Sequence, residues 1–247
     1  MVVLILEEQY MKLFAISDLH LSFDERIGKP MEVFGRDWDD HAARLKEKWL
    51  ELIRPEDIVM IPGDISWGLR LDEAVADLEW IRALPGTKIL IKGNHDPWWV
   101  TAGKLNRAFG SEKMVFLQNK AWEIPGTGVY ICGTRGWVCP GPADFTDHDM
   151  KIYNREVGRL ELSLKDAASA GAEEIIAALH YPPTNEMQQS SGFTELLSSY
   201  GARTCVYGHL HGKLNFARGM KGIYNGVEYK LVSLDYLKCT PLLLREF

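Results

Sequence analysis

The chain has 247 residues, of which 46% are hydrophobic and 25% charged, and its formal net charge is −6 at pH 7. This length can bury the core of one large α/β domain, and the composition is that of a globular protein. The acidic balance argues against an extended basic surface for nucleic acid, although it allows a local basic pocket. The four cysteines form no Cys-x-x-Cys pair, which favours reduced thiols.

The start of the chain and the length of its apolar segments indicate where in the cell the protein is expected. No apolar run is long enough to span a bilayer. Glu7 and Glu8 directly follow an apolar start, without the basic region or cleavage site of a signal peptide. We therefore expect a cytoplasmic protein with a single domain over residues 1–247, in which residues 1–10 form an N-terminal extension. The oligomeric state stays open.

Strand and helix patterns alternate through the first part of the chain. Apolar residues 13–16 predict a buried strand, and residues 38–54 carry apolar side chains at helical spacing. Residues 58–61 predict a second strand, residues 71–84 a second helix, and residues 88–91 a third strand. This alternation is typical of an α/β fold.

The rest of the chain has more strand patterns. Residues 133–152 lack periodicity and are expected to form a long lid loop, because loops of this length usually have a function. Residues 153–168 predict a third helix. Strands are predicted at the other apolar segments, namely 115–117, 122–124, 129–132, 175–179, 204–207, 214–217, 222–224 and 229–234.

Five predicted strands are each followed by side chains that can bind a metal ion. The five segments are Ser17-Asp18-Leu19-His20, Pro62-Gly63-Asp64, Gly93-Asn94-His95-Asp96, His180, and Gly208-His209-Leu210-His211. Sites in open α/β sheets form at the carboxyl ends of strands, so these turns can converge. Carboxylates and imidazoles suit divalent Mn, Fe and Zn.

Each segment alone has an ordinary structural explanation. Gly63-Asp64 can be a turn, and His180 can be a histidine whose hydrogen bonds are satisfied near a strand end. The joint pattern contains five of the seven histidines and favours a two-metal site. Asp64 is the natural shared ligand, because a carboxylate can bridge two ions. Two ions about 3.5–4 Å apart can clamp a phosphate and lower the pKa of a bridging water towards ~7.

In the order of these motifs, the sequence resembles the calcineurin-like metallophosphoesterase superfamily. The family motifs D-x-H, G-D, G-N-H-[DE], H and G-H-x-H are matched over residues 18–211. The resemblance implies an α/β fold, a four-layer sandwich of two mixed β-sheets flanked by helices. It implies two ion sites that share one carboxylate: the first has Asp18, His20, Asp64 and His211, and the second has Asp64, Asn94, His180 and His209.

The resemblance also implies the chemistry, which is hydrolysis of phosphate esters by attack of a metal-bridging hydroxide. His95 would be the catalytic histidine that stabilises the transition state or protonates the leaving oxygen. Trp67 and Gly68 stand where the serine/threonine protein phosphatase branch has acidic and arginine positions of its G-D-x-x-D-R-G motif. This departure and the Gly-Asn-His-Asp motif slightly favour a phosphodiesterase over a phosphatase. We expect Asp96 to cap a following helix or to fix the tautomer of His95.

Several residues near the predicted loop and the metal turns could contact a small phosphorylated substrate. An arginine can bind a phosphate through two hydrogen bonds. Trp98 and Trp99 could stack on a base or pack in the core, and His41 is expected on a helix surface. Asp147-His148-Asp149 could mimic a metal site, but it lies in the predicted loop. The candidate substrate contacts are Arg135, His148, Arg155 and Tyr181.

Two rival functions stay open. The first is a non-catalytic metal-binding scaffold of the same fold, which the presence of His95 and a full ligand set disfavours. The second is a nuclease, which would need a basic groove. Nitrogen and oxygen ligands do not select among Mn, Fe and Zn, and the physiological substrate is not determined by the sequence.

Overall fold

The computed structural model describes residues 10–247, so the predicted N-terminal extension lies almost entirely outside the described residues. Within these residues the chain forms two β-sheets, and the first has five strands. They are β1 (Lys12–Ala15), β2 (Ile58–Pro62), β3 (Thr87–Ile91), β4 (Met114–Phe116) and β11 (Leu242–Glu246). Their order is β11-β1-β2-β3-β4, and all neighbours are parallel except β11 with β1.

The second sheet has six strands in the order β5-β6-β7-β8-β10-β9. Its four central strands are parallel, and both edge strands are antiparallel to their neighbours. The strands are β5 (Trp122–Glu123), β6 (Val129–Thr134), β7 (Glu174–Leu179), β8 (Thr204–Tyr207), β9 (Gly222–Tyr224) and β10 (Val227–Leu231). Both sheets are therefore mixed.

Helices cover the outer faces of the two sheets. They are α1 (His41–Leu52), α2 (Leu71–Ala83), α3 (Ala102–Ala108), α4 (Asp147–Ser169), α5 (Gly192–Ser199) and α6 (Gly212–Arg218), and two 3-10 turns span Met31–Phe34 and Arg36–Trp38. α1, α2 and α3 pack on the first sheet through one apolar cluster that includes Trp49 and Leu78. α4 and α5 pack on the second sheet through another, which includes Leu160 and Phe193.

A third apolar cluster lies between the sheets. Ile58 and Ile89 of the first sheet and Ile131 and Ile176 of the second belong to it. Because both faces of the central strands are covered, these strands have near-continuous apolar sequences. Helices, sheet, sheet and helices make four layers, so the predicted α/β sandwich is confirmed.

The predicted loop at residues 133–152 is wrong at both ends. β6 continues through Thr134, and α4 begins at Asp147, so the irregular segment spans residues 135–146. A capping box starts α4: the backbone N–H of Asp149 donates to Thr146 Oγ1, and the backbone N–H of Thr146 donates to Asp149 Oδ2. The first turn of the helix is polar, and this hides its periodicity.

The strand predicted at residues 214–217 is also wrong, because this segment lies in α6. The alternation of Leu214 and Phe216 suggested a strand, but Leu214 is 84% exposed and faces no sheet. α3, α5 and β11 were not predicted, and α1 begins at His41 rather than at residue 38. Among the described residues, no helix is both long and apolar enough to cross a membrane.

Candidate metal centre

The five segments predicted to bind metal lie at the carboxyl ends of β1, β2, β3, β7 and β8. β1, β2 and β3 are adjacent and parallel in the first sheet, and β7 and β8 are adjacent and parallel in the second. Their carboxyl ends meet at one edge of the sandwich. There the structure brings together all seven side chains that the sequence predicted as metal ligands, which form the candidate metal centre.

The backbone of this centre adopts an uncommon conformation. Asp18, His20, Asp64 and His209 have φ angles of 59°, 45°, 50° and 71°. The left-handed region costs a residue other than glycine about 1–2 kcal/mol. Two hydrogen bonds hold the turns, from Asp18 N to Gly63 O at 3.0 Å and from His20 N to Asp64 O at 2.9 Å. Residues in such conformations cluster at functional sites.

The first group of donor atoms comes from Asp18, His20 and His211, whose ligand atoms lie within 4.8 Å of one another. His20 Nε2 is 3.4 Å from His211 Nε2, and His211 Nε2 is 3.6 Å from Asp18 Oδ1. His20 and Asp18 are buried.

The second group comes from Asp64, His180 and His209, again within 4.8 Å. His180 Nε2 is 3.2 Å from His209 Nδ1 and 3.4 Å from Asp64 Oδ1. Asn94 Oδ1 adds an oxygen at 2.7 Å from His180 Nε2. The other oxygen of Asp64, Oδ2, lies 3.7 Å from His20 Nε2, so this carboxylate stands between the two groups.

The electrostatics of the centre favour bound cations. Burial and the nearby Asp18 and Asp96 carboxylates raise the pKa of Asp64 well above its usual value. Burial lowers the pKa of His180 to about 3 and that of His209 to about 4, so both rings are neutral at pH 7. Neutral imidazole nitrogens beside buried carboxylates are a donor set that fits divalent metal ions.

Asp18 and His211 form the most polar pair of the centre. Burial alone would raise the pKa of Asp18, but hydrogen bonding to His211 and nearby imidazoles hold it far below its usual range. Burial opposes a charge on His211, yet Asp18 and Asp235 raise its pKa to about 10. The Asp18 carboxylate is therefore ionised, as metal binding requires, whereas His211 would have to release its proton to bind a metal ion.

Groups behind the ligands fix their orientation. Asp235 Oδ1 lies 3.0 Å from His211 Nδ1, and Asp235 Oδ2 accepts the backbone N–H of Gly212 at 3.1 Å. His180 Nδ1 is 3.1 Å from Pro62 O. Such partners set the tautomer of a ligating histidine. Sequence reasoning missed Asp235, because it follows no recognisable motif.

Asp96 connects two of the turns, and both predicted roles for it are wrong. Its buried carboxylate accepts the backbone N–H groups of Gly93 at 2.7 Å, Ile65 at 2.9 Å and Ser66 at 3.2 Å. It also accepts Trp98 Nε1–H at 3.1 Å. Burial raises the pKa of Asp96 to about 6. The residue neither caps a helix nor contacts the His95 ring.

Glycines allow the turns to approach the ligands. A side chain at Gly208 would collide with the Asp18 carboxylate and with Ser17 Oγ, and one at Gly93 would collide with Asp64. The absence of Cβ at both positions therefore lets the metal-binding turns pack against each other.

His95 lies beside the centre. Its backbone N–H donates to Asp64 Oδ1 at 2.8 Å, and its ring centroid is 5.7 Å from that of His20 and 4.4 Å from that of Trp67. Partial burial and the positive charge of Lys29 lower its pKa, so the neutral ring predominates at pH 7. The imidazole can therefore exchange a proton at the edge of the centre.

A cavity of about 480 Å³ opens over the centre, and we name it the metal-side cavity. His20, Asp64, His95, His209 and His211 line one part of it. Met31, Phe34, Trp38 and Trp67 line another part and make it apolar. The Trp67 ring stacks on His20 at a centroid distance of 4.7 Å.

The four candidate substrate contacts differ in whether they touch the predicted metal ligands. The Tyr181 ring packs on that of His209 at a centroid distance of 4.1 Å. Arg135 and Arg155 lie 3.4 Å and 3.6 Å from the buried carboxylate of Glu156. His148 is exposed in the first turn of α4. Of these four residues, only Tyr181 contacts a predicted metal ligand through its ring.

Three aromatic side chains have structural roles. Trp98 and Trp99 are 1% and 3% exposed and belong to the core, so the stacking alternative is wrong. His41 is buried rather than on a helix surface, and its Nε2 lies 3.0 Å from Leu19 O. Burial lowers the pKa of His41.

The two-sheet sandwich and the two groups of histidines and carboxylates define a class, the metal-dependent phosphoesterases. A sequence model of the calcineurin-like phosphoesterases matches residues 11–213, and the chain belongs to this family. The resemblance noted from the motifs is thus confirmed.

Individual relatives match this chain only over part of its length or at low sequence identity. The chain is 38% identical over 99 residues to the Gene 66 protein of Mycobacterium phage D29, covering 38% of this chain and 49% of that protein. It is 36% identical over 102 residues to the Gene 66 protein of Mycobacterium phage L5, covering 40% and 47%. These matches span about half the length of the phage proteins. The protein TT1561 of Thermus thermophilus shares the fold, with a TM-score of 0.52, 12% identity, and coverage of 85% and 87%.

Proposed function

We propose that this protein is a two-metal-dependent phosphoesterase that hydrolyses a small substrate, with a slight preference for phosphodiesters over phosphomonoesters. The observation that carries the proposal is the convergence of six predicted ligands in two groups, with Asn94 at 2.7 Å from His180, next to a cavity of about 480 Å³ that His95 also lines. A cavity of this size suits a small molecule rather than an extended polymer.

The distances support two ion sites that share Asp64. Its Oδ2 is nearest to the first group, at 3.7 Å from His20 Nε2, and its Oδ1 is 3.4 Å from His180 Nε2 of the second group. Asp18, His20 and His211 would hold one ion, and Asn94, His180 and His209 the other. Two bound divalent cations would offset the negative charge of the phosphate and would lower the pKa of a water molecule, so that hydroxide is available to attack phosphorus.

The residues of the chain supply the rest of the reaction. The water oxygen forms a bond to phosphorus, the bond to the leaving oxygen breaks, and that oxygen gains a proton. We assign this proton transfer to His95, because its ring lines the cavity beside Asp64. The neutral ring predominates at pH 7, so His95 first takes up a proton from solvent, while the attacking water releases one to solvent. Its backbone bond to Asp64 keeps the ring near the centre without making it a ligand.

The diester preference has support at Trp67. The ring of Trp67 borders the metal-side cavity and carries Lys29 Nζ at 4.2 Å from its centroid. An apolar wall at this point favours an organic substituent next to the phosphate. A diester carries two organic groups and a monoester one, so a diester can cover more of this apolar wall.

The test is hydrolysis of bis(4-nitrophenyl) phosphate and 4-nitrophenyl phosphate, with Mn²⁺, Zn²⁺ or Fe²⁺ added separately. We expect metal-dependent release of nitrophenol, with a higher kcat/KM for the diester, and its loss in Asp64→Asn. Higher efficiency on the monoester would refute the diester preference. No hydrolysis by protein that holds two metal ions would refute the enzyme and favour a metal-binding scaffold.

A further inference from the structure

A second cavity, of about 340 Å³, borders the other side of the metal-binding segment 209–211. The irregular segment 135–146, residues 181–186 and part of α6 enclose it, and we name it the loop cavity. Leu210 lines the loop cavity, whereas His209 and His211 line the metal-side cavity. Residues 209–211 therefore lie between the loop cavity and the metal-side cavity.

Tyr181 connects the loop cavity to the metal centre. It lines the cavity, and its ring lies on that of His209, with centroids 4.1 Å apart at an angle of 35°. A group in the loop cavity would thus be one aromatic ring away from a predicted metal ligand.

The lining of the loop cavity is mainly apolar, with Val138, Pro142, Phe145, Pro182 and Leu210. Its polar side chains are mostly engaged elsewhere. Asp149 accepts hydrogen bonds from Trp137 and Thr146, and Arg218 forms an ion pair with Glu186 at 2.8 Å. Such a surface fits an uncharged organic group.

One buried polar group at this cavity lacks a partner, whereas the Asp144 carboxylate at the cavity is exposed to solvent. Thr184 lines the cavity and is 5% exposed, and its Oγ1 has no hydrogen-bond partner among the described residues. Buried hydroxyls usually have one. A bound group with a single hydrogen-bonding atom would complete the site.

We propose that the loop cavity binds the substituent that stays on the phosphate of a diester, while the metal-side cavity binds the leaving alcohol next to His95. The substrate class is then a phosphodiester with an uncharged, largely apolar substituent on each side of phosphorus. This inference rests on the proposed function and explains why a diester would use the site better than a monoester.

Val138 is the best position for a test, because it lines the loop cavity and is 40% exposed, so the fold should tolerate a larger side chain. Val138→Trp should fill the cavity. We expect the ratio of kcat/KM for bis(4-nitrophenyl) phosphate to that for 4-nitrophenyl phosphate to fall at least about 10-fold, which corresponds to about 1.4 kcal/mol. A second variant, Val138→Glu, should lower the same ratio, because it places a charged carboxylate where the uncharged substituent of the diester would lie.

Leu162→Trp is the matched control. Leu162 is 53% exposed on α4 and lines neither cavity, so this variant should keep the wild-type ratio. Thermal unfolding of all variants establishes that each is folded. An unchanged ratio in both Val138 variants would overturn the proposal, and so would a fall that Leu162→Trp reproduces.

A binding experiment separates this inference from the proposed function. His95→Ala loaded with Mn²⁺ is titrated with each ester by calorimetry, with and without Val138→Trp. We expect the added substitution to weaken diester binding about 10-fold more than monoester binding. Equal effects on both esters would overturn the loop-cavity assignment even if the enzyme is active. If the wild type hydrolyses neither ester, the proposed function fails, and selective weakening of diester binding would still support the loop cavity.

Discussion

His95 illustrates how one residue can stand beside a metal centre without belonging to it. Its backbone N–H donates to Asp64 Oδ1 at 2.8 Å, whereas its ring lines the metal-side cavity. The backbone hydrogen bond to Asp64 does not depend on the side chain at position 95, so it should be kept when the imidazole ring is removed. A substitution can therefore test the ring alone.

We expect His95→Ala to keep both metal ions and to lower kcat about 100-fold to 10,000-fold, because the leaving oxygen loses its proton donor. Metal content by mass spectrometry and steady-state kinetics check this. Near-normal kcat in protein with two bound ions would contradict the assigned role.

The absence of a side chain matters as much at Gly208. We expect Gly208→Ala to lower metal affinity about 10–100-fold, because the added Cβ would displace the Asp18 carboxylate. Competition with a chromophoric chelator measures this affinity. Gly158→Ala is the control: its Cβ would meet nothing within 4 Å, and it lies within α4. That variant should gain about 0.5–1 kcal/mol of stability and keep its metals. Equal metal affinity in both variants would contradict the close-packing argument.

At the scale of elements, α4 is tied to the start of the irregular segment by a buried carboxylate. Glu156 Oε2 accepts the Thr134 hydroxyl at 2.7 Å, and Oε1 lies 2.7 Å from Arg159 Nη1 and 3.4 Å from Arg135 Nη2. The carboxylate balances the arginines packed around it. This cluster therefore sets the path of the chain where β6 leaves the sheet towards the loop cavity.

We expect Glu156→Ala to lower the free energy of unfolding by about 1–3 kcal/mol, because it leaves the buried Thr134 hydroxyl and the half-buried Arg135 without their partner. Glu161→Ala removes an exposed ion pair with Lys165 on the same helix and should change stability by less than about 1 kcal/mol. Urea unfolding compares the two. Equal losses would show that the cluster at Glu156 contributes no more than a surface pair.

At the scale of the whole molecule, buried histidines couple stability to pH. His20, His41, His180 and His209 all have lowered pKa values, with burial as the largest cause. The unfolded chain takes up protons near the ordinary pKa of 6.5, before the folded chain does. The free energy of unfolding of the metal-free protein should therefore fall as the pH drops below about 6.5, although the raised pKa values of Asp64 and Asp96 offset part of this fall.

His41 isolates one part of this effect, because it lies outside the predicted ligand set. We expect His41→Gln to reduce the slope of unfolding free energy against pH between about pH 5 and 6 by up to about 1.4 kcal/mol per pH unit. Denaturant unfolding in the presence of a chelator measures both slopes. Identical slopes for the variant and the wild type would show that His41 titrates normally in the folded protein.

The sequence by itself determined most of the strands that precede the candidate ligands, and it supplied the candidate ligands themselves. Apolar segments such as residues 58–61 have a strong local pattern, and each is followed by polar residues whose chemistry is recognisable. Periodicity failed where local signals were weak. α4 begins with a polar turn, and α6 has no buried residue, so neither the start of α4 nor the helical type of α6 could be predicted.

The tertiary structure decided which residues form hydrogen bonds to the candidate ligands and their turns, and which cavities border them. Asp235, Asp96 and Glu156 are acidic residues in the sequence, and only folding shows that each receives hydrogen bonds from distant segments. The loop cavity likewise depends on residues 135–146, 181–186 and α6 meeting around Tyr181. Local sequence patterns reflect neighbours three or four residues apart, whereas contacts between distant segments arise only when the sheets pack.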